Sequence, residues 1–164
     1  MTTPPGGRAL QVAAAAGLLH ATSSLYWAFG GTWLLQTVGA PADTLKAHGP
    51  LVAFLALALI AAVKALAAVL PLLVHEGRLP RLRRPVRAAS WIGGSFLLLY
   101  GAVNTVSAAL VLSGLLHVPG PVDRASMLGH LLLWDPLFAL WGACLLLGLV
   151  RNRHRASAAR ASPH

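Results

Sequence analysis

Long apolar runs separated by short polar stretches dominate the chain. Each run approaches or exceeds the roughly 20 residues that a helix needs to cross a bilayer. The pattern therefore predicts an all-α fold, a four-helix transmembrane bundle made of two helical hairpins. The predicted spans are about residues 9–29, 50–74, 88–116 and 128–150.

Glycine and proline residues mark the ends of these spans. Gly30-Gly31 ends the first span, and Pro50 suits the first turn of the second, where its missing N–H costs nothing. Gly39-Ala40-Pro41 and Pro119-Gly120-Pro121 are typical turn sequences. The third span is longer than a bilayer requires, so we expect it to tilt or to fray at Gly93-Gly94.

The first span has an alternative interpretation as a secretory signal peptide. Arg8 would be its basic region, and the run Ala13–Ala16 would lie near the cleavage site. Apolar character continues, however, through Tyr26 and Trp27. A retained transmembrane helix is therefore the favoured interpretation.

The distribution of basic residues predicts the orientation. Arginines are concentrated in the N-terminal lead, in the connection between spans two and three, and in the tail 151–164, whereas the other two connections hold only Lys46 and Arg124. Because Lys and Arg accumulate in cytoplasmic loops, both termini and the central connection should be cytoplasmic. The arginines on the predicted cytoplasmic side are Arg8, Arg78, Arg81, Arg83, Arg84, Arg87, Arg151, Arg153, Arg155 and Arg160.

Composition agrees with one membrane domain, residues 1–150, followed by a basic tail. Hydrophobic residues make up 57% of the 164 positions and charged residues 10%, with a formal net charge of +9. Because the basic residues flank apolar spans, the lipid bilayer explains them better than nucleic acid does. Cys144 is the only cysteine, which excludes an intramolecular disulfide. Richness in Ala, Leu, Gly and Arg indicates a GC-rich bacterial genome, and therefore a bacterial plasma membrane.

Two charged residues lie inside the predicted spans. Lys64 is about 13 Å above the cytoplasmic boundary, too deep for easy snorkelling, so it should have a partner or a wet cavity. Asp135, in the fourth span, is the obvious partner, at a height of about 20 Å. The alternative is that Asp135 caps the helix below Pro136 near the outer interface. Pro136 itself should free a helical carbonyl, that of Leu132.

Polar side chains on the other two spans fall at similar heights. His20, Ser24 and Trp27 share one face of the first helix, and Tyr100 and Asn104 are one turn apart on the third. We therefore expect a shared polar layer between mid-bilayer and the outer leaflet, with Trp27 and Trp134 at its mouth or, alternatively, in the aromatic belt. His20 and His130 lack a third metal ligand of diagnostic spacing, so neither a metal nor a cofactor is predicted.

One block of the chain resembles a known family. The block is His20 with Tyr26-Trp27-Ala28-Phe29-Gly30-Gly31, a following Trp, and Val38-Gly39. It resembles a family of small bacterial four-span membrane proteins, domain of unknown function 3995, over roughly residues 10–150, with Trp134 and Pro136 also similar. The resemblance implies a four-helix membrane protein and no particular activity.

Three function hypotheses follow from these patterns. The leading one is binding, or movement, of a small amphiphilic or lipid-like ligand in a polar pocket between the helices. The alternatives are an intramembrane enzyme using acid–base chemistry, of the isomerase or cyclase kind, and a structural or accessory subunit. Expected partners are the lipid bilayer, a hydrophobic small molecule, and a second copy or another membrane protein. The pocket candidates are His20, Ser24, Trp27, Lys64, Tyr100, Asn104, Trp134 and Asp135.

Overall fold

The computed structural model describes residues 6–39, 44–45 and 47–161, with side chains as far as residue 152. The part of the chain so described is helical and contains no strand, which confirms the all-α prediction. The predicted turn at 39–41 and the residues Asp43 and Lys46 lie wholly or partly outside the described residues. The helices are α1 (Gly7–Ala28), α2 (Pro50–His75), α3 (Arg83–Leu112), α4 (Arg124–Gly129) and α5 (Asp135–Ala161).

Short helical turns complete the fold. A π-helical turn, His130–Trp134, joins α4 to α5, so the chain from residue 124 to 161 is one continuous helical rod. Single 3₁₀ turns lie at Leu35–Thr37 and Pro80–Leu82. Asp123 begins the rod because its carboxylate accepts the N–H groups of Ala125 and Ser126, the usual role of an N-cap aspartate.

The helices differ from the predicted spans in two places. α3 does not fray at Gly93-Gly94 but runs unbroken from Arg83 to Leu112. The last helix does not end near Val150 but continues to Ala161, through much of the predicted tail. That stretch holds alanine and arginine, which are good helix formers, and no proline before Pro163.

Three helical stretches are long and apolar enough to cross a membrane: Pro50–His75, Pro80–Leu112 and Arg124–Asn152. α1 is 22 residues long but is not among them. Its glutamine, histidine, threonine and two serines keep its mean hydropathy below that of the three spanning stretches. Half of its residues are buried, so α1 contacts mainly protein.

The packing order of the helices places α1 and α5 at the centre. α1 packs chiefly against α2 and also against α5, whereas α3 packs against α5. Contacts between α2 and α3 are sparse, so the neighbours run α2, α1, α5, α3. The buried apolar cluster lies among the first three: Leu10, Ala13, Ala16, Ala68, Trp141 and Leu145.

Glycines let α3 approach the backbone of α5. A Cβ on Gly101 would overlap main-chain atoms of Asp135 and Ala139, and a Cβ on Gly142 would lie 2.5 Å from the Gly94 oxygen and the Leu98 nitrogen. Close backbone contact of this kind is the usual way in which helices associate in lipid, where apolar side chains gain little from leaving the solvent.

The outer faces of α2 and α3 are apolar and exposed. Leu55, Leu59 and Leu66 of α2 are 57%, 66% and 58% exposed, and Ile92 and Leu99 of α3 are 74% and 65% exposed. Monomeric soluble proteins rarely expose such a continuous apolar surface, whereas helices that face lipid normally do. The fold thus has the apolar outer surface that a helical membrane protein presents to lipid.

Candidate functional site

A chain of hydrogen bonds joins α2 to α1 in the bundle interior. The Lys64 ammonium on α2 donates to the Ser24 hydroxyl on α1 at 3.0 Å, and Ser24 donates to the His20 carbonyl at 3.2 Å. Ser24 and His20 are buried, whereas Lys64 is half-buried. The interior partner that the sequence predicts for Lys64 is therefore the Ser24 hydroxyl.

His20 continues the chain of hydrogen bonds to the last helix. Its Nε2–H donates to the Trp134 carbonyl at 3.2 Å, which requires the Nε2-protonated tautomer because a carbonyl only accepts. Trp134 is the last residue of the π turn, in which carbonyls pair with N–H groups five residues on rather than four. Pro136, which has no N–H, follows after Asp135. A freed carbonyl was predicted at Leu132, but the one that meets α1 is that of Trp134.

The indole of Trp134 extends the connection into the loop after α1. Its Nε1–H donates to Thr37 Oγ1 at 2.9 Å, and the Thr37 hydroxyl donates to the Leu34 carbonyl at 2.6 Å. Gly129 allows this approach, since a Cβ there would lie 2.5 Å from Thr37 atoms. We call Lys64, Ser24, His20, Trp134 and Thr37 the polar chain. It ties together α2, α1, the π turn and the loop.

Asp135 has a different partner from the one predicted. Its Oδ2 accepts the Nδ1–H of His130 at 2.9 Å, and the carboxylate side chain is 1% exposed. Lys64 and Asp135 form no ion pair in the described structure, so the pairing inferred from their heights is wrong. The cap alternative also fails, because Asp135 bonds a side chain one turn back. Heights within reach of each other along the bundle do not make two side chains face each other.

Phe138 is the central residue that the sequence reasoning missed. His20 stacks on its ring with centroids 3.8 Å apart and planes at 16°, and Lys64 Nζ lies 5.7 Å from the ring centroid. Tyr100 of α3 meets the same ring edge-on at 5.8 Å. Trp134, Phe138 and Trp141 are spaced at i, i+4 and i+7, and this aromatic stripe was the available signal.

The two α3 candidates are peripheral to the polar chain. Tyr100 is 43% exposed and reaches the layer only through Phe138. Asn104 is half-buried, and within the described residues it joins no hydrogen bond of the polar chain. Convergence of polar groups therefore holds for α1, α2 and the last helix, but not for α3.

A cavity of about 420 Å³ lies beside the polar chain, against α1 and the loop that follows it. We call it the aromatic cavity. It contains two of the predicted candidates, Trp27 and Trp134, but not His20, Lys64 or Asp135. Its lining residues are Leu19, Thr22, Ser23, Tyr26, Trp27, Trp33, Leu34 and Trp134.

The walls of the aromatic cavity hold one another in place. The Trp27 indole donates to the Trp33 carbonyl at 3.0 Å, and the Trp33 N–H donates to the Tyr26 hydroxyl at 3.4 Å. Trp27 also meets Trp134 edge-to-face at 5.3 Å. Leu34 has a φ of 59°, a left-handed conformation that costs a leucine of order 1–3 kcal/mol and clusters at ligand sites.

The chemistry that these walls can supply is limited. Among the described residues that line the cavity, the polar groups are hydroxyls and indole N–H groups, with no carboxylate, imidazole or amine. Within the described part of the chain, no three His, Cys, Asp or Glu side chains are grouped as a metal site would require. The cavity can hold an apolar or amphiphilic group and orient it with a few hydrogen bonds.

Three helical stretches are long and apolar enough to span a bilayer and the outer faces are apolar, which are the features of a helical membrane protein. The chain belongs to the family described as protein of unknown function (DUF3995), whose model matches residues 17–145. This confirms the family suggested by the sequence block around Tyr26–Gly31. Comparisons with curated proteins and with solved structures found no match.

Proposed function

We propose that this protein is a four-span plasma-membrane protein that binds the apolar part of a small amphiphile in the aromatic cavity. The observation that carries the proposal is the cavity itself, about 420 Å³ and walled by Trp27, Trp33 and Trp134. Its size falls within the range of small-ligand pockets. The three indoles offer apolar area for the tail of a ligand. Because the N–H groups of Trp27 and Trp134 already donate to the protein, a polar end would meet the exposed Thr22 hydroxyl.

The position of the cavity supports this proposal. It lies at the end of α1 that is remote from the arginine-rich connection between α2 and α3. This end would lie at a membrane–water boundary, where tryptophan is common. A ligand there would enter from the outer leaflet, with its tail along Leu19 and its polar end near Thr22, which is exposed. Leu34, on one wall, has a strained left-handed backbone conformation. Such strain persists where surrounding contacts hold it and is common at ligand-binding sites, which supports binding in this cavity.

Binding is best measured by quenching of tryptophan fluorescence with a fatty acid brominated near its chain end. Purified protein in nanodiscs should show saturable quenching, and Trp33→Phe should remove the largest part of it. Leu19→Trp, which fills the cavity, should weaken apparent affinity at least tenfold. Trp141→Phe, which is buried in the core and lies outside the lining of the cavity, is the matched control. Equal, unsaturated quenching in all of these variants would mean simple partition into lipid and would refute binding.

The proposed topology places both termini and the Glu76–Leu82 connection in the cytoplasm, with α1 as the fourth span. Its support is the arginine bias across the chain. With Cys144→Ser as the background, Val118→Cys should react with an impermeant thiol reagent added outside intact cells. Arg81→Cys should react only after permeabilisation. The opposite pattern would reverse the orientation.

A second candidate is a purely structural role for the polar chain and for the neighbouring His130–Asp135 pair. His20, Ser24 and Asp135 are 3%, 2% and 1% exposed, and each has a hydrogen-bond partner. Satisfied polar groups of this kind lock helix packing without contacting a ligand. The two roles separate experimentally, because a structural role alone predicts no saturable quenching in the aromatic cavity. Acid–base catalysis has less support, since the cavity walls carry no acid or base.

A further inference from the structure

We propose a second binding site, at the start of α3, for the phosphate of an anionic phospholipid. A groove of about 430 Å³ opens there and is lined by Arg84, Arg87, Ala88 and Trp91. These residues are spaced at i, i+3, i+4 and i+7 and therefore share one side of the helix. The groove belongs to α3 and shares no residue with the aromatic cavity.

Among the described residues, no carboxylate neutralises the charge of this groove. Three of the four carboxylates are described, and each is engaged elsewhere: Glu76 with Arg78 at 3.1 Å, Asp135 with His130, and Asp123 at the start of α4. Arg84 and Arg87 thus carry two positive charges one turn apart without a carboxylate partner among the described residues. Like charges at this spacing repel each other, and a bound anion would remove the repulsion.

The side-chain types favour a phosphate group in particular. A guanidinium presents parallel N–H donors that match phosphate oxygens in a bidentate arrangement, and two guanidiniums can clamp one phosphate. Arg84 is exposed and Arg87 half-buried, so both are accessible to a ligand at the surface. Trp91 is half-buried beneath them, at the level where an indole packs against the glycerol backbone of a lipid.

The surface above the groove identifies a lipid rather than a free phosphate. Farther along α3, Ile92 and Leu99 are 74% and 65% exposed and offer an apolar track for acyl chains. The groove also lies at the end of a stretch long and apolar enough to cross a membrane, Pro80–Leu112. Basic pockets at such positions bind anionic headgroups such as those of phosphatidylglycerol or cardiolipin.

The experiment measures binding of short-chain phosphatidylglycerol to the full-length protein in neutral detergent, by thermal shift and by native mass spectrometry. Phosphatidylglycerol should bind at least tenfold more tightly than phosphatidylcholine of the same chain length, and than inorganic phosphate. Arg84→Gln with Arg87→Gln should reduce the affinity at least tenfold. The conservative pair Arg84→Lys with Arg87→Lys, which keeps the charge and loses the bidentate geometry, should reduce it several-fold.

Arg81→Gln is the matched control, because it removes one arginine from the same connection but from outside the groove. It should change affinity less than twofold. A loss as large as that of the double glutamine variant would show that only net charge matters and would overturn the site. Equal affinity for inorganic phosphate would overturn the assignment to lipid. Unchanged helicity by circular dichroism shows that each variant is folded.

Discussion

His20 of α1 donates its Nε2–H to the main-chain carbonyl of Trp134 in the π turn, 3.2 Å away, while its ring stacks on Phe138. The imidazole thus supplies a donor to a main-chain carbonyl and a flat surface for a neighbouring ring. His20→Phe keeps the ring and removes the donor, so it should cost about 0.6–1.7 kcal/mol, as measured for hydrogen bonds between membrane helices. His20→Ala also leaves a cavity and should cost about 2–4 kcal/mol.

Unfolding of these variants can be followed by circular dichroism during titration with sodium dodecyl sulfate. His117→Phe, at an exposed position, is the control and should stay within about 0.5 kcal/mol of the parent. Equal stability of His20→Phe and the parent would show that the Trp134 carbonyl does not depend on His20.

The His130–Asp135 pair should be asymmetric. His130→Leu leaves a carboxylate that is 1% exposed without a partner, so it should cost about 3–5 kcal/mol. Asp135→Leu leaves an imidazole that is 28% exposed and should cost less, because water or lipid headgroups can solvate it. The double variant should be more stable than the sum of the single effects implies. A double-mutant cycle by chemical denaturation checks this, and additivity would argue against the pair.

Ser24 and Lys64 should also be coupled. Lys64→Met keeps the stem and removes a charge that costs about 2.5–3.5 kcal/mol in mid-membrane, so it should leave stability unchanged or raise it. Ser24→Ala removes the acceptor of the Lys64 ammonium and should destabilise the parent. In the Lys64→Met background, Ser24→Ala should cost measurably less. If Ser24→Ala costs the same in both backgrounds, the hydrogen bond contributes nothing.

Gly101 and Gly142 should tolerate no larger residue. A leucine at either position would force apart the backbones of α3 and α5, so we expect Gly101→Leu and Gly142→Leu to prevent assembly of the bundle. Gly93→Ala is the matched control, since nothing lies within 4 Å of a Cβ at that position. It should be neutral, or stabilising by about 0.5–1 kcal/mol, because alanine is the better helix former. Size-exclusion profiles and thermal melts in detergent distinguish these outcomes.

Trp134→Phe should loosen the loop after α1. The substitution keeps an aromatic ring against Trp27 but removes the donor to Thr37 Oγ1. Amide hydrogen exchange should rise in Leu34–Val38 and stay unchanged in α3. Trp91→Phe, in α3, should leave exchange in the loop at the level of the parent. Unchanged exchange in Trp134→Phe would show that the indole does not hold the loop.

The sequence by itself determined the helices and the kind of surface they present. Runs such as Pro50–His75 are apolar enough to lie in lipid. A segment in lipid must be helical because its backbone N–H and C=O groups have to form hydrogen bonds with each other. Proline at residue 50 and the glycine at residue 30 mark element ends because their backbone preferences are local. Heights along the helices were also predictable from the constant rise per residue, which is why His20, Ser24, Lys64 and Asp135 were found as interior polar groups.

The tertiary structure alone decided which of these groups meet. A height along a helix says nothing about its rotation or its neighbours, and the order α2, α1, α5, α3 gives Lys64 a serine rather than Asp135. The π turn adds one residue, and therefore about 100° of rotation, to every later position of the last helix. That rotation cannot be inferred from spacing. Trp134, at the end of this turn, has its carbonyl on His20, its indole N–H on Thr37 and its ring in the wall of the aromatic cavity.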